Sequence, residues 1–347
     1  MARPLSGLRI VELAAIGPVP FAGMMLADHG AEVIRITRPG TAESADDPLL
    51  RSRSSVALDL KSSSDIVRLR ELCSTSDGLI EGFRPGVMER LGLGPEVLLS
   101  DNKQLVFGRM TGWGQEGPLA ARAGHDINYI ALSGTLGALG RMGEQPTPPI
   151  NLVGDFGGGG MLLSFGMVAA LLAVRSGASG QVVDCAMTDG SALLMTMMWG
   201  FRAQGRWSDQ RGTNLLDTGA PFYDTYETAD RRYVAVGAIE PQFYAELRRV
   251  LGIAADPLFD RQDDKALWPA QKEKMAQLFK TKARDEWCAL FDSVDACVTP
   301  VLSMEEALAH PHNQSRHTFI TTGDVAQPAP APRFSTLPST AAAILAP

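Results

Sequence analysis

The chain has 347 residues, room for one large or two ordinary domains, and its 45% hydrophobic and 20% charged content is that of a soluble globular protein. A formal net charge of −7 and a pI of about 5.3 exclude a nucleic-acid binder acting through its overall field, though not a local basic pocket. Cys73, Cys185, Cys288 and Cys297 are scattered without a C-x-x-C pair, so they read as reduced thiols of a cytoplasmic protein, with neither a disulfide framework nor a metal site expected.

The chain enters a strand pattern at once, so no leader is expected. Arg, Asp or Gly interrupts each apolar run, so no membrane span is expected either, and the last five residues carry no peroxisomal tripeptide. Gly7–Leu13 predicts a buried strand, Gly17-Pro18-Val19-Pro20 a turn into a helix over Phe21–Asp28, and Ala31–Ile36 the next strand. Strands are further expected at Val56–Lys61, Gly78–Glu81, Leu105–Met110 and Gly180–Met187, with a helix over Ser64–Cys73. This alternation predicts an α/β fold built on an open, doubly wound sheet. The first βα turn holds prolines where a dinucleotide site needs G-x-G-x-x-G, so nicotinamide and flavin readings lose their main support. Arg38, Lys61, Arg84 and Arg90 lie at or just after strand ends. They read either as solvated surface or as a phosphate-binding rim of side chains.

Gly124 to Gly160 is the central stretch. His125 precedes an apolar segment expected to be a buried helix over Tyr129–Leu139, and Asp155 opens a second apolar helix, Met161–Val174, with Gly157 to Gly160 in its first turn. Taken alone, His125 reads as a cap or core residue and Asp155 as an N-cap. Four consecutive glycines nevertheless suggest a close approach to the backbone, and a helix start offers N–H donors to an oxyanion. Ser191–Trp199 predicts a helix; Met187, Met195, Met197 and Met198 read as adaptable core or as an acyl-binding surface.

Arg206–Thr218 is irregular, and Gly219–Tyr226 with Arg232–Ala238 predicts a hairpin in a smaller α+β unit. Glu240 stands at a strand-to-helix corner, where a cap and an active-site role fit equally. Helices over Phe243–Leu251, Asp264–Phe279 and Arg284–Phe291 and a short strand at Ala296–Val301 complete that unit. His310, His312 and His317 lack metal spacing. An extended tail from Pro328, anchored at Arg333-Phe334, is expected to return over the first domain.

Four blocks in order carry a resemblance: Gly124–Tyr129 (GHDINY), Asn151–Gly159 (NLVGDFGGG), Gly219–Tyr226 (GAPFYDTY) and Val236–Tyr244 (VGAIEPQFY). Through them nearly the whole chain resembles the family III (CaiB/BaiF) CoA-transferase superfamily, and within it the racemase branch. The resemblance implies a large Rossmann-like domain over residues 1–200 completed by 318–347, a linker at 201–218, and a small α+β domain over 219–317. It implies an interlocked homodimer acting on acyl-CoA thioesters, with no separate cofactor because CoA belongs to the substrate. His125 and Asp155 match the acid/base pair, and Glu240 the carboxylate that orients the histidine across the subunit boundary. Arg38, Lys61, Arg84 and Arg90 match positions that bind the CoA phosphates and adenosine end, while Asp126 and Tyr129 match positions beside the pantetheine–thioester junction.

The implied reaction is inversion of a 2-methylacyl-CoA thioester, which needs a base and an acid on opposite faces of the α-carbon and donors for the enolate oxygen. The helix start at Asp155–Gly159 is the expected oxyanion site. Two alternatives accompany this reading: a CoA-transferase in which Asp155 attacks the thioester, and a non-catalytic acyl-CoA-binding relative.

Overall fold

The computed structural model describes residues 3–335, and the chain divides into two compact units. The first comprises the described residues of Met1–Thr135, Pro149–Thr196 and His310–Pro347; the second comprises Leu136–Pro148 and Met197–Ala309.

The first unit is built on six parallel strands: β1 (Arg9–Leu13), β2 (Glu32–Thr37), β3 (Ser54–Ala57), β4 (Gly78–Glu81), β5 (Val106–Thr111) and β6 (Val182–Ala186). Their order is β3-β2-β1-β4-β5-β6, so the chain reverses direction across the sheet between β1 and β4. That is the doubly wound topology, in which ligands bind outside the carboxyl ends of the strands at the switch point. Side chains alternate between two cores. Ile10, Ile80 and Val106 join Val19, Leu26, Leu163 and Met167 on one face, while Val11, Leu79 and Phe107 join Leu69, Met88 and Leu98 on the other.

Local chemistry moves several expected boundaries. The first helix begins at Pro18, three residues earlier than expected, because proline lacks only an N–H that a first turn leaves unbonded. β3 ends at Ala57 because Asp59 forms a turn, its carboxylate taking the Lys61 amide at 3.0 Å and its carbonyl the Ser62 amide at 2.8 Å. The helix expected over Tyr129–Leu139 is two pieces, Asp126–Leu132 and Thr135–Ala138, broken at Gly134 with φ +86°. A hairpin of β10 (Phe319–Thr322) and β11 (Val325–Pro328) precedes the expected tail. Beyond it Phe334 meets the His29 ring edge-on at 5.4 Å, and the rest of the tail, residues 336–347, lies outside the described residues.

The largest departure is at the glycines. Leu152–Met161 is π-helical and runs into the α-helix Leu162–Arg175 without a break. A π-helix bonds each N–H to the carbonyl five residues back, so Gly157–Gly159 sit inside a hydrogen-bonded helix. The expected oxyanion site at their amides is therefore not formed there. The close approach comes from the chain's own helices. A Cβ at Gly190 would sit 1.9 Å from the Gly158 carbonyl oxygen, and one at Gly160 would sit 2.8 Å from that of Pro18. The continuous Leu152–Arg175 stretch is also long and apolar enough to cross a membrane, contrary to the sequence expectation, but 44% of its apolar window is buried, and Gly158 and Gly160 pack on the backbone of other helices.

The second unit carries the antiparallel sheet β7 (Tyr223–Glu227), β8 (Tyr233–Gly237) and β9 (Val298–Pro300), with the helices Pro241–Val250, Trp268–Phe279 and Arg284–Phe291. Its core is aromatic, with Phe222, Tyr226, Phe259, Trp268, Phe279 and Trp287 buried together. Residues 136–148, assigned from sequence to the first domain, cluster with this unit instead. Arg141 forks onto buried Asp224 at 2.9 and 2.8 Å, and Arg211 donates to the Gly137 carbonyl at 2.9 Å. The rest of the unit runs from Met197 to Ala309, taking in the linker expected at 201–218 and ending before the limit of 317 expected for a small domain over 219–317.

Candidate active site

A cavity of about 540 Å³ opens at the carboxyl ends of β1, β4 and β5, at the switch point of the sheet. Each wall comes from a different connection: Ala15–Val19 after β1, Gly82–Pro85 after β4, Met110–Trp113 at the end of β5, and Ala120–His125 ahead of the Asp126–Leu132 helix. Tyr129, Asn151, Asp155 and Met187 close it. Of the four methionines noted in the sequence, Met187 alone lines this cavity.

His125 is the N-cap of its helix, held extended at φ −132°, with its amide donating to Asn128 Oδ1 at 3.0 Å. The imidazole is exposed and lines the cavity. Asp155 lies half-buried in the π-helical turn, where one carboxylate oxygen accepts Asn151 Nδ2 at 3.0 Å. A glycine at position 17 is required here, since φ is +67° and a Cβ would stand 3.1 Å from the same Asp155 oxygen. Burial raises the Asp155 carboxyl above its ordinary value; the Asn151 amide opposes this, and the nearby Asp126 charge adds to it. The site thus sets an imidazole and a carboxyl raised above its ordinary value on one cavity, two groups able to take and give protons.

Tyr129 is buried against the edge of Trp113, ring centroids 4.8 Å apart, and its hydroxyl donates to the Gly124 carbonyl. It lines the cavity. Asp126 does not line it. The residue is 5% exposed, with Oδ2 accepting the Asp155 amide at 2.8 Å and Oδ1 without a partner among the described residues, so it supports Asp155 from behind.

Arg84 lines the cavity; Arg38, Lys61 and Arg90 do not. All four are exposed and make no ion pair among the described residues. Arg38 directly follows β2, Lys61 lies in the turn after β3, Arg84 lies in the loop after β4, and Arg90 ends the short helix Val87–Arg90 beyond that loop. Glu240 lies in the second unit, exposed, as N-cap of Pro241–Val250, without a side-chain capping bond.

Sequence reasoning missed Arg122 and Asn151. Arg122 is an exposed cation on the cavity wall, in a turn without periodicity to mark it. Asn151 stands four residues before Asp155, one helical turn away, a spacing that could have signalled the hydrogen bond.

The description "CoA-transferase family III" matches residues 5–346. Alpha-methylacyl-CoA racemase of Mus musculus is 51% identical over 336 residues, covering 96% of this chain and 87% of the mouse protein. The Homo sapiens protein of the same name is 46% identical over 338 residues, again covering 96% of this chain and 87% of its own length. The crystal structure of a CAIB/BAIF family protein from Brucella suis has the same fold, with a TM-score of 0.83 at 24% identity, covering 97% of this chain and 94% of that one. With the cavity at its expected edge of the sheet and a match along nearly its full length, the chain belongs to CoA-transferase family III.

Proposed function

We propose that this chain is an α-methylacyl-CoA racemase, interconverting the R and S forms of 2-methylacyl-CoA thioesters by removing and returning the α-proton. The observation that carries the reading is that His125 and a raised Asp155 face one cavity. One takes the α-proton and the other delivers a proton to the opposite face, and the roles exchange for the other epimer. The reaction calls for no metal or redox group, and CoA enters as part of the substrate. Full-length likeness to two racemases supports the choice within the family. The alternative, attack of Asp155 on the thioester to move CoA between acids, needs an ionised nucleophile, and burial works against ionisation at Asp155.

Arg84, with Arg38, Lys61 and Arg90, would take the phosphates and adenosine end of CoA. Glu240 would orient His125 from the small domain of a second copy in an interlocked dimer. Support for a second copy comes from the Leu152–Arg175 helix, whose Met161, Phe165, Val168 and Leu172 form an exposed apolar stripe at helical spacing. The free thiols, buried at Cys73 and Cys185, suit a reducing cytoplasm.

The test is proton NMR of an (S)-2-methylacyl-CoA in D₂O, with a carboxylic acid added afterwards. Loss of the α-proton signal and appearance of both epimers without the acid is the expected result. A retained α-proton with CoA passing to the added acid would make Asp155 a nucleophile and the chain a transferase.

A further inference from the structure

Beside the cavity, and outside its lining, one guanidinium joins two carboxylates. β4 and β5 run parallel with Glu81 registered against Arg109. Glu81 is fully buried at the last position of β4, its Oε2 accepting the Phe83 amide at 2.6 Å and its Oε1 accepting Arg109 Nε at 3.2 Å. The far side of the same guanidinium forks onto Glu89, Nη1 to Oε1 at 2.8 Å and Nη2 to Oε2 at 3.3 Å. Arg109 is 7% exposed, whereas the Glu89 side chain is 46% exposed.

The link therefore spans from a strand end to the short helix Val87–Arg90. Between its anchors the chain carries Arg84 on the cavity wall, and next to the second anchor stands Arg90. A buried ion chain is weak evidence of stability, since desolvation offsets much of the attraction. A planar fork with five donors is, however, a rigid way to fix the spacing of two segments. Neither Arg84 nor Arg90 makes an ion pair among the described residues and both are exposed, though the Arg90 charge is near enough to Glu89 to help lower the pKa of its carboxyl.

We propose that Arg109 is a positioning residue for the nucleotide end of the substrate: through Glu81 and Glu89 it holds the Arg84 loop and the Arg90 turn at the separation that receives CoA phosphates. The proposal rests on the acyl-CoA reading given above. Arg109 does not line the cavity, so its effect falls on binding of the phosphates and not on proton transfer at the α-carbon. Preorganised cations lose less ordering entropy on binding, and that advantage disappears when the link is cut.

The experiment compares a 2-methylacyl-CoA with the same acyl group on pantetheine, which lacks the phosphates, in the full chain and in Glu89→Ala and Arg109→Lys. Lysine keeps the charge but cannot reach both carboxylates. Expected for each variant is a rise of about tenfold in KM for the CoA thioester, with kcat at saturation and turnover of the pantetheine thioester unchanged. The double variant should cost little more than Arg109→Lys alone, because both changes cut one link. An unchanged KM in Glu89→Ala, or equal damage to both thioesters, overturns the proposal; Glu89 is half-exposed, so that variant stays informative if Arg109→Lys fails to fold. Wild-type protein that exchanges neither thioester would instead overturn the acyl-CoA reading itself.

Discussion

The backbone amide of Asp155 donates to Asp126 Oδ2 at 2.8 Å, so the candidate acid is held from behind by a second, buried carboxylate while Asn151 holds it from the side. The two neighbours act on Asp155 in opposite senses. Asn151 stabilises the ionised form by donating to it; the Asp126 charge destabilises that form. Asn151→Ala should therefore move the acidic limb of the exchange rate to higher pH, for the epimer in which Asp155 is the base. Asp126→Asn keeps an acceptor for the amide but removes the charge, and should move the limb to lower pH. Shifts in the same direction would show that the carboxyl titrating in the rate is not Asp155.

His125→Ala and Asp155→Ala should each lower α-proton exchange by about 10²–10⁴-fold, the range for loss of a positioned acid or base. Affinity for CoA, read by calorimetry, should stay near wild type, since neither residue is placed among the phosphate-binding cations. A large loss of CoA affinity with exchange preserved would reverse that assignment.

Much of the sheet could be read from the chain because its strands are buried on both faces and so appear as near-continuous apolar runs, as in Leu105–Met110. The run of four glycines shows where such reading stops. Gly157–Gly160 correctly signal a close backbone approach, but composition cannot say whether the visitor is a ligand or another helix; here it is the helices carrying Pro18 and Gly190. Likewise Asp126, adjacent to His125 in sequence, does not line the cavity because successive residues at a helix start point in different directions. Residues 136–148 were misplaced because Arg141 finds its partner, Asp224, more than 80 positions along the chain.

Gly190→Ala should be among the most damaging small substitutions. Its Cβ would overlap the Gly158 carbonyl oxygen, a backbone atom that cannot rotate away. Overpacking of this kind typically costs about 1–3 kcal/mol or more. The urea midpoint should fall accordingly, whereas Gly200→Ala, with open space around its Cβ, should leave the midpoint near wild type.

Glu81 gives stability a pH dependence of known sign. Burial pushes its carboxyl up to about 7, above the ordinary 4.5, against the pull of the Phe83 amide and Arg109. The folded chain then binds this proton more tightly than the unfolded chain, so the contribution is complete below the unfolded value and is lost as pH rises through about 7. Relative to Glu81→Gln, which cannot titrate, wild type should gain in urea midpoint as pH falls from about 8 to about 5. A pH-independent difference between the two would place the Glu81 pKa near its ordinary value.

Arg122 shares the cavity wall with Arg84 but makes no ion pair among the described residues and does not stand at a strand end. If phosphate binding is what the wall cations do, Arg122→Ala should raise KM for the CoA thioester by about two- to fivefold, the modest effect of an exposed charge, and leave kcat intact. The rise should shrink as salt is added, because screening already weakens the same contact in wild type. The pantetheine thioester should not sense the change at all. Loss of kcat with both thioesters would instead place Arg122 against the acyl group, on the reacting side of the cavity.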